Sequence, residues 1–313
     1  MSGYKTVIAR SVGTKQSSAC EKSGLLRRFA PRNDGAVQFR NNSNDGAVQF
    51  RDRSNDGAGQ FRDRSNDGAG QFRYNSNDEA GYVHSIDSCG MVDGPGIRYL
   101  IFLSGCALRC KYCHNPDTWE FKNGQLMTVD EIISDINKYR SYIRFSGGGV
   151  TITGGDPLIQ PDFLEALLAR CKSEGLHTAV DTSGYGTEHI VRKILAHTDL
   201  MLLDIKSINP AIYKHITGVP IGRTLETLRI SKEMGVSIWI RYVLVPGLTD
   251  KTEDMYKLAE FLEPYTNVER VEVVPFHKIG EYKWRDLELQ YEMEDTPIPS
   301  QESLEIARRI LTT

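Results

Sequence analysis

The sequence predicts an α/β fold, a parallel sheet with helices between its strands, preceded by a tail that builds no core of its own. Three observations lead there. Short apolar runs alternate with amphipathic stretches from residue 81 onward, the runs end in polar motifs, and much of residues 1–80 is an eleven-residue repeat. Where strands alternate with helices, each crossover returns the chain parallel to the strand before it, so βαβ units and a parallel sheet result.

The tail comes first in the chain. Asn-Asp recurs at Asn33, Asn44, Asn55, Asn66 and Asn77, and Gln-Phe-Arg follows at Gln38, Gln49, Gln60 and Gln71. A unit such as SNDGAGQFRDR offers a core one Phe and at most one Val, among Gly, Asn and Asp that favour turns. Burial on that scale does not offset an ordering entropy of roughly 1 to 2 kcal/mol per residue. Residues 1–80 are therefore expected to be a disordered tail and 81–313 the folded domain. The tail carries 13 Lys+Arg against 9 Asp+Glu, which leaves 25 against 32 for the remainder. A body that acidic has no diffuse basic face, which excludes general nucleic-acid binding. No apolar run approaches the roughly 18 residues that span a membrane. The opening MSGYKTVIARSVGTKQ has no apolar secretory core, so a reducing cytoplasm is expected, where clustered cysteines are metal ligands more often than disulfides.

Six strands follow, over Ile97 to Leu103, Gly149 to Gly154, His177 to Gly184, Asp199 to Lys206, Val236 to Gly247 and Val268 to His277. They are short apolar runs, which imply buried strands. Helices are expected over Thr128 to Tyr139, Pro161 to Glu174, Glu188 to Ala196, Thr224 to Met234, Thr252 to Leu262 and Ser300 to Leu311. Thr128 followed by Glu131 is a capping box that starts the first. Six such units fit either an open doubly wound sheet or a partial barrel. In both, ligands bind at the carboxyl ends of the strands, where Thr-Gly-Gly-Asp, Asp-Thr-Ser-Gly, Asp-Ile-Lys and Pro-Phe-His lie.

The stretch SGCALRCKYCHNPDTW places Cys106, Cys110 and Cys113 in a short loop after the first strand. A loop can wrap three sulfurs around one iron–sulfur cluster, which usually takes four. Cys89 on the entry segment, Cys171 inside a helix and Cys20 in the tail do not supply the fourth, so one iron is left open. Haem, zinc and simple packing compete with a cluster. Cys110 to His114 matches the haem-attachment pattern, but that chemistry generally needs export. A zinc site of the three cysteines and His114 would strain a tetrahedron at the adjacent Cys113 and His114, and plain buried thiols do not account for the spacing.

C-x-x-x-C-x-x-C resembles the signature of the radical S-adenosylmethionine superfamily. HSIDSCGMVDGPGIRYLIFLSGCALRCKYCHNPDTW, YRSYIRFSGGGVTITGGDPLIQ, HTAVDTSGY, LLDIK, WIRYVLVPGLTD and VPFHKIGEYKW together resemble the activating enzymes of pyruvate formate-lyase, over residues 81–313. That resemblance implies a partial (β/α)6 TIM-like barrel, a 4Fe-4S cluster on Cys106, Cys110 and Cys113, and S-adenosylmethionine on the open iron. The activity implied is hydrogen abstraction from a glycine of the partner by a 5′-deoxyadenosyl radical. Activases of other glycyl radical enzymes carry a cysteine-rich insert after the cluster loop, whereas Asn115 to Gly148 contains no Cys. A reading from another class, a non-catalytic metal scaffold or electron carrier, predicts a fully ligated cluster and no cofactor cleavage.

By the same resemblance Gly154, Gly155 and Asp156 contact the methionine amino group, although the family usually has Glu where Asp156 stands. Asp181, Thr182 and Asp204, with the backbone carbonyl of Leu202, form a monovalent cation site for sodium or potassium. Lys206 and Arg241 contact cofactor or substrate backbone, His277 the ribose or adenine, and Asp93 the substrate peptide. From the residues alone, Asp204 and Lys206 make an ion pair and Arg241 ends its strand. The implied partners are pyruvate formate-lyase as protein substrate and flavodoxin or ferredoxin as electron donor, with the chain a monomer.

Overall fold

The computed structural model describes residues 79–120 and 123–312. The expectations for residues 1–78 lie outside the described residues. Within them the strands are β1 (Ala80–Gly90), β2 (Arg98–Leu103), β3 (Gln125–Thr128), β4 (Gly149–Gly154), β5 (His177–Thr182), β6 (Leu200–Asp204), β7 (Ser237–Leu244) and β8 (Val268–Pro275). The helices are α1 (Val129–Ile136), α2 (Arg140–Phe145), α3 (Pro161–Ser173), α4 (Glu188–Leu195), α5 (Pro210–Thr217), α6 (Gly222–Met234), α7 (Thr252–Leu262), α8 (Glu281–Asp286) and α9 (Gln301–Leu311). None is long and apolar enough to cross a membrane.

One open sheet runs in the order β3-β1-β2-β4-β5-β6-β7-β8. From β2 to β8 every neighbouring pair is parallel, and these six strands are the six expected apolar runs. β1 adds an antiparallel partner to β2, and β3 adds one to β1. Neither was expected from the sequence, for a physical reason. β1 has only one well-covered face, so His84, Ser85 and Asp87 interrupt its apolar residues, while β3 is four residues long.

The helices start where the caps dictate. Thr128 Oγ1 accepts from the Glu131 N–H at 3.2 Å and Glu131 Oε2 accepts from the Thr128 N–H at 2.8 Å, which completes the expected capping box. α5 was missed although its signals are complete, with Asn209 capping the Ala211 N–H, Pro210 in the first turn and left-handed Gly218 at the end. The main core lies between sheet and helices, built from Ile101, Leu103, Ile152, Leu203 and Ile240 of the sheet with Leu164, Leu167, Leu228 and Leu258 of the helices. A second cluster of Tyr112, Ile216, Val245, Phe276 and Met293 lies under the cysteine loop. It joins that loop to the chain beyond β8.

Candidate active site

The cysteine loop follows β2 and is anchored at both ends and in its middle. Gly105 N–H donates to Thr118 O at 2.7 Å, while Arg109 and Lys111 N–H groups donate to Thr217 and Ile216 carbonyls at 2.8 and 3.0 Å. The segment around α8 braces the other side. The Trp284 indole N–H donates to Cys113 O at 2.8 Å, and Lys283 Nζ reaches Asn115 Oδ1 and Asp117 Oδ2, each at 2.8 Å. The His114 Nε2–H donates to His277 O at 3.0 Å with the two rings stacked 4.1 Å apart. Burial and the neighbouring His277 push His114 down to about 4, so it is neutral at pH 7.

Cys106, Cys110 and Cys113 are free thiols, as is Cys171, which lies buried in α3 away from the loop. Burial pushes Cys110 up to about 12 and raises Cys106 and Cys113, and Cys106 is raised further by the charge of Asp156 and then by those of the other two cysteines. Three half-buried thiolates that repel one another need a bound cation to ionise together, and a metal cluster supplies it. Among the described residues no three His, Cys, Asp or Glu side chains converge closely enough for a single metal ion.

The end of β4 lies against this loop. Gly154 has φ 121°, and a Cβ there would stand 2.3 Å from Leu103 backbone atoms. A Cβ on Gly155 would stand 2.2 Å from Gly105 O, so only glycines permit the approach. Gly155 N–H donates to Leu103 O at 2.9 Å and Asp156 N–H to Gly105 O at 2.8 Å. Asp156 turns its carboxylate inward, where Oδ1 accepts from Thr182 Oγ1 at 2.7 Å and Leu158 N–H at 3.1 Å. Oδ2 accepts from the Ser183 N–H at 3.1 Å and from the Ser183 hydroxyl.

Asp181 and Thr182 end β5 and Asp204 ends β6, as expected. Leu202 pairs with Asp181 on one side and Trp239 on the other, fully buried. Lys206 Nζ meets Asp204 Oδ2 at 2.6 Å, so the ion pair forms, and the ammonium lies 5.9 Å over the Tyr112 ring. Burial alone would lower Lys206, but Asp204 and its other neighbours outweigh it and hold the ammonium above its usual range.

Arg241 departs from expectation. It sits in the middle of β7, with three strand residues after it, because its guanidinium finds enough carboxylates to stay within the sheet. Asp181 Oδ2 lies at 2.9 Å, Asp93 Oδ1 at 3.0 Å and Glu272 Oε2 at 3.4 Å, and the Val92 carbonyl accepts at 2.8 Å. Asp93 is thereby drawn from the β1–β2 connection to the same rim. Burial raises Asp181 to about 6, against the opposing pull of Arg241. Two buried polar atoms here lack any hydrogen-bond partner, Tyr112 Oη and His277 Nδ1. Orphans of that kind fit a bound group.

Residues 100–259 match the model of the Radical SAM superfamily. A pyruvate formate-lyase-activating enzyme of Clostridium pasteurianum is 47% identical over 213 residues, 68% of this chain and 89% of the relative. The chain belongs to the pyruvate formate-lyase-activating enzyme family. A second member, from Staphylococcus aureus (strain USA300), is 44% identical over 235 residues, 73% of this chain and 94% of its own length. A radical SAM methyltransferase from Sphaerobacter thermophilus shares the fold, with TM-score 0.51 and 17% identity over 72% of this chain and 69% of that one. Membership brings a 4Fe-4S cluster, S-adenosylmethionine and a glycyl radical enzyme as protein substrate, and the free thiols and orphaned polar atoms fit such an occupant.

Tyr112, Thr153, Glu272, Lys283 and Trp284 join the site without having been singled out from sequence, and His114, weighed there only as a haem or zinc ligand, joins it by its bond to His277. Thr153 Oγ1 donates to Asp181 Oδ2 at 3.0 Å. Glu272 had no signal that set it apart from Glu269 and Arg270 in the same strand, and Trp284 had none beyond its place in KIGEYKW.

Proposed function

We propose that this chain activates pyruvate formate-lyase by placing a radical on a glycine of that enzyme. The observation that supports this best is the joining of the three-thiol loop to the Gly154-Gly155 turn at the carboxyl edge of the parallel sheet. Cys106, Cys110 and Cys113 would hold the 4Fe-4S cluster, with one iron left for S-adenosylmethionine. When bound, cluster and cofactor supply the one-electron chemistry that ends in hydrogen abstraction from the glycine Cα.

The chain's own residues bind, orient and exclude. Gly154 and Gly155 bring backbone groups to the methionine end without a side chain in the way. Asp181, Thr182, Asp204 and the Leu202 carbonyl hold a sodium or potassium ion beside the cofactor carboxylate. Lys206 neutralises charge next to them, and the unpartnered His277 Nδ1 meets the ribose or adenine. Asp93 and Arg241, already bonded to each other, receive the backbone of the substrate peptide. The apolar cluster around Tyr112 and Phe276 excludes water from a reaction that water and stray hydrogen donors would quench. We place the protein in the cytoplasm as a monomer, reduced by a flavodoxin or ferredoxin and comprising a domain of residues 81–313 with a non-catalytic tail.

Anaerobic incubation of reconstituted protein with S-adenosylmethionine, reductant and pyruvate formate-lyase tests the reading. A glycyl doublet in the electron paramagnetic resonance spectrum, with methionine and 5′-deoxyadenosine as products, is expected. A cluster that cycles electrons without cofactor cleavage would identify an electron carrier instead.

A further inference from the structure

Asp156 stands where the family usually has Glu, and its surroundings differ from those of a ligand-binding carboxylate. A carboxylate offers about four lone-pair sites. All four are taken by this chain's own donors: Thr182 Oγ1 and the Leu158 N–H on Oδ1, and the Ser183 N–H and hydroxyl on Oδ2. With its side chain only 4% exposed, Asp156 has neither the room nor the acceptor capacity for the cofactor's ammonium. Its backbone N–H donates to Gly105 O, one residue before Cys106. Asp156 therefore ties the start of the cluster loop to the end of β5.

The same bonds fix Thr182. Its hydroxyl gives its only proton to Asp156 and accepts from the Gly184 N–H at 3.0 Å, which leaves one lone pair for a ligand. The turn behind it is held just as firmly. Thr224 Oγ1 donates to Ser183 O at 2.8 Å, Thr227 Oγ1 donates to Gly184 O at 2.7 Å, and Tyr213 Oη lies 2.8 Å from Thr224 Oγ1. A rotatable hydroxyl is thus held in one orientation before any ligand arrives.

We propose that Asp156 is a positioning residue: it orients the Thr182 hydroxyl so that an oxygen lone pair faces the bound cation and cofactor, and does not touch the cofactor itself. This rests on the reading of the site as one for S-adenosylmethionine. Asp is suited to the task because its carboxylate lies close enough to its own backbone to cap Leu158 while reaching β5. A Glu would carry the carboxylate one methylene farther, and the four bonds would not survive without a shift of the backbone that holds Gly105.

The test uses the full chain with its cluster reconstituted, under anaerobic conditions and without reductant, so that S-adenosylmethionine binds without being cleaved. Asp156→Asn keeps an acceptor for Thr182 or for Ser183 but turns an N–H₂ against a donor at the other position. It is expected to weaken binding at least tenfold while iron content stays at the wild-type value, and Thr182→Val is expected to weaken it comparably. The double variant should bind no more weakly than the worse single one, because Asp156 acts through Thr182 and its turn. Losses that multiply would mean that Asp156 touches the cofactor directly and would overturn the proposal, as would unchanged binding in either single variant. Should Asp156→Asn fail to take up a cluster, Thr182→Val decides alone. Amide hydrogen exchange on the protein without cofactor gives a readout independent of binding: Ser183 and Gly184 should exchange faster in Asp156→Asn, with Leu202 and Leu203 unchanged. Equal exchange at Ser183 would refute the brace even if wild-type protein proved not to bind S-adenosylmethionine, a result that would count separately against the proposed function.

Discussion

At the scale of single residues, the cysteines were the most legible part of the site, because packing rarely requires three thiols within eight positions of a post-strand loop. Cys110→Ser is expected to abolish the iron-dependent visible absorption or leave an incomplete cluster, whereas Cys171→Ser, altering a thiol within α3, should leave the spectrum intact. Equal iron loss in both would reveal a fourth thiolate ligand. Less legible was what the acidic residues do, since a carboxylate at a strand end looks the same whether it meets a cation, a lysine or a hydroxyl. Asp204 illustrates this. It holds Lys206 at 2.6 Å in a partly buried pair, and removing one partner leaves the other charge poorly solvated, so Asp204→Asn should lower the melting temperature. If Asp204 also helps to hold a cation, the variant should cleave S-adenosylmethionine slowly and recover in part as potassium or sodium is raised. A rate indifferent to cation concentration, in variant and wild type alike, would leave Asp204 a purely structural residue.

At the scale of elements, β2, β4, β5 and β6 could be read because burial on both faces makes them largely apolar, and β7 and β8 because β-branched residues recur along them, while β1 and β3, covered on one side or very short, could not. α8 was hidden for another reason. Its value lies in contacts far away in the chain, above all the bond from Trp284 to Cys113 O. Trp284→Phe retains most of the packing on Trp119, whose ring lies 5.1 Å away, and loses the donor. A stability loss of about 1 kcal/mol and faster bleaching of the cluster in air are expected, and bleaching at the wild-type rate would show that α8 does not guard the loop. The link between β5 and β6 predicts a pH effect. Asp199 accepts from the Thr178 N–H and hydroxyl at 2.9 and 3.0 Å and from Lys172 at 2.6 Å. Burial pushes its carboxyl up, but Lys172 and Thr178 outweigh this and hold it below the usual value. The stability conferred is complete above the unfolded-state value and is lost as pH falls through the lowered folded one. Asp199→Asn should therefore destabilise by about 1 kcal/mol near neutrality, and the gap to wild type should close in acid. A gap that widens in acid would reverse the assignment.

At the scale of the whole molecule, the alternation of strands and helices disclosed the class of fold, but the choice between an open sheet and a partial barrel depends on strand tilt and edge pairing, which leave no mark in composition. The sheet is open, with β3 at one end and β8 at the other. A chain beginning at residue 79 is expected to fold, take up its cluster and cleave S-adenosylmethionine at the rate of the full chain, and an insoluble or inactive product would show that residues 1–78 belong to the fold or site. The position of β8 bears on solubility as well as on shape. Among the described residues it is paired only with β7, and an outer strand with a free ladder invites a second molecule to add its own. β8 reads VERVEVVP, with Glu269, Arg270 and Glu272 set among its valines. Glu269 accepts from the Trp239 indole N–H at 3.1 Å, and the Arg270 guanidinium stacks 4.1 Å from the same ring. Charge thus covers Trp239 on the strand next to the free edge, and a sheet that must stay open still resists growing into an aggregate.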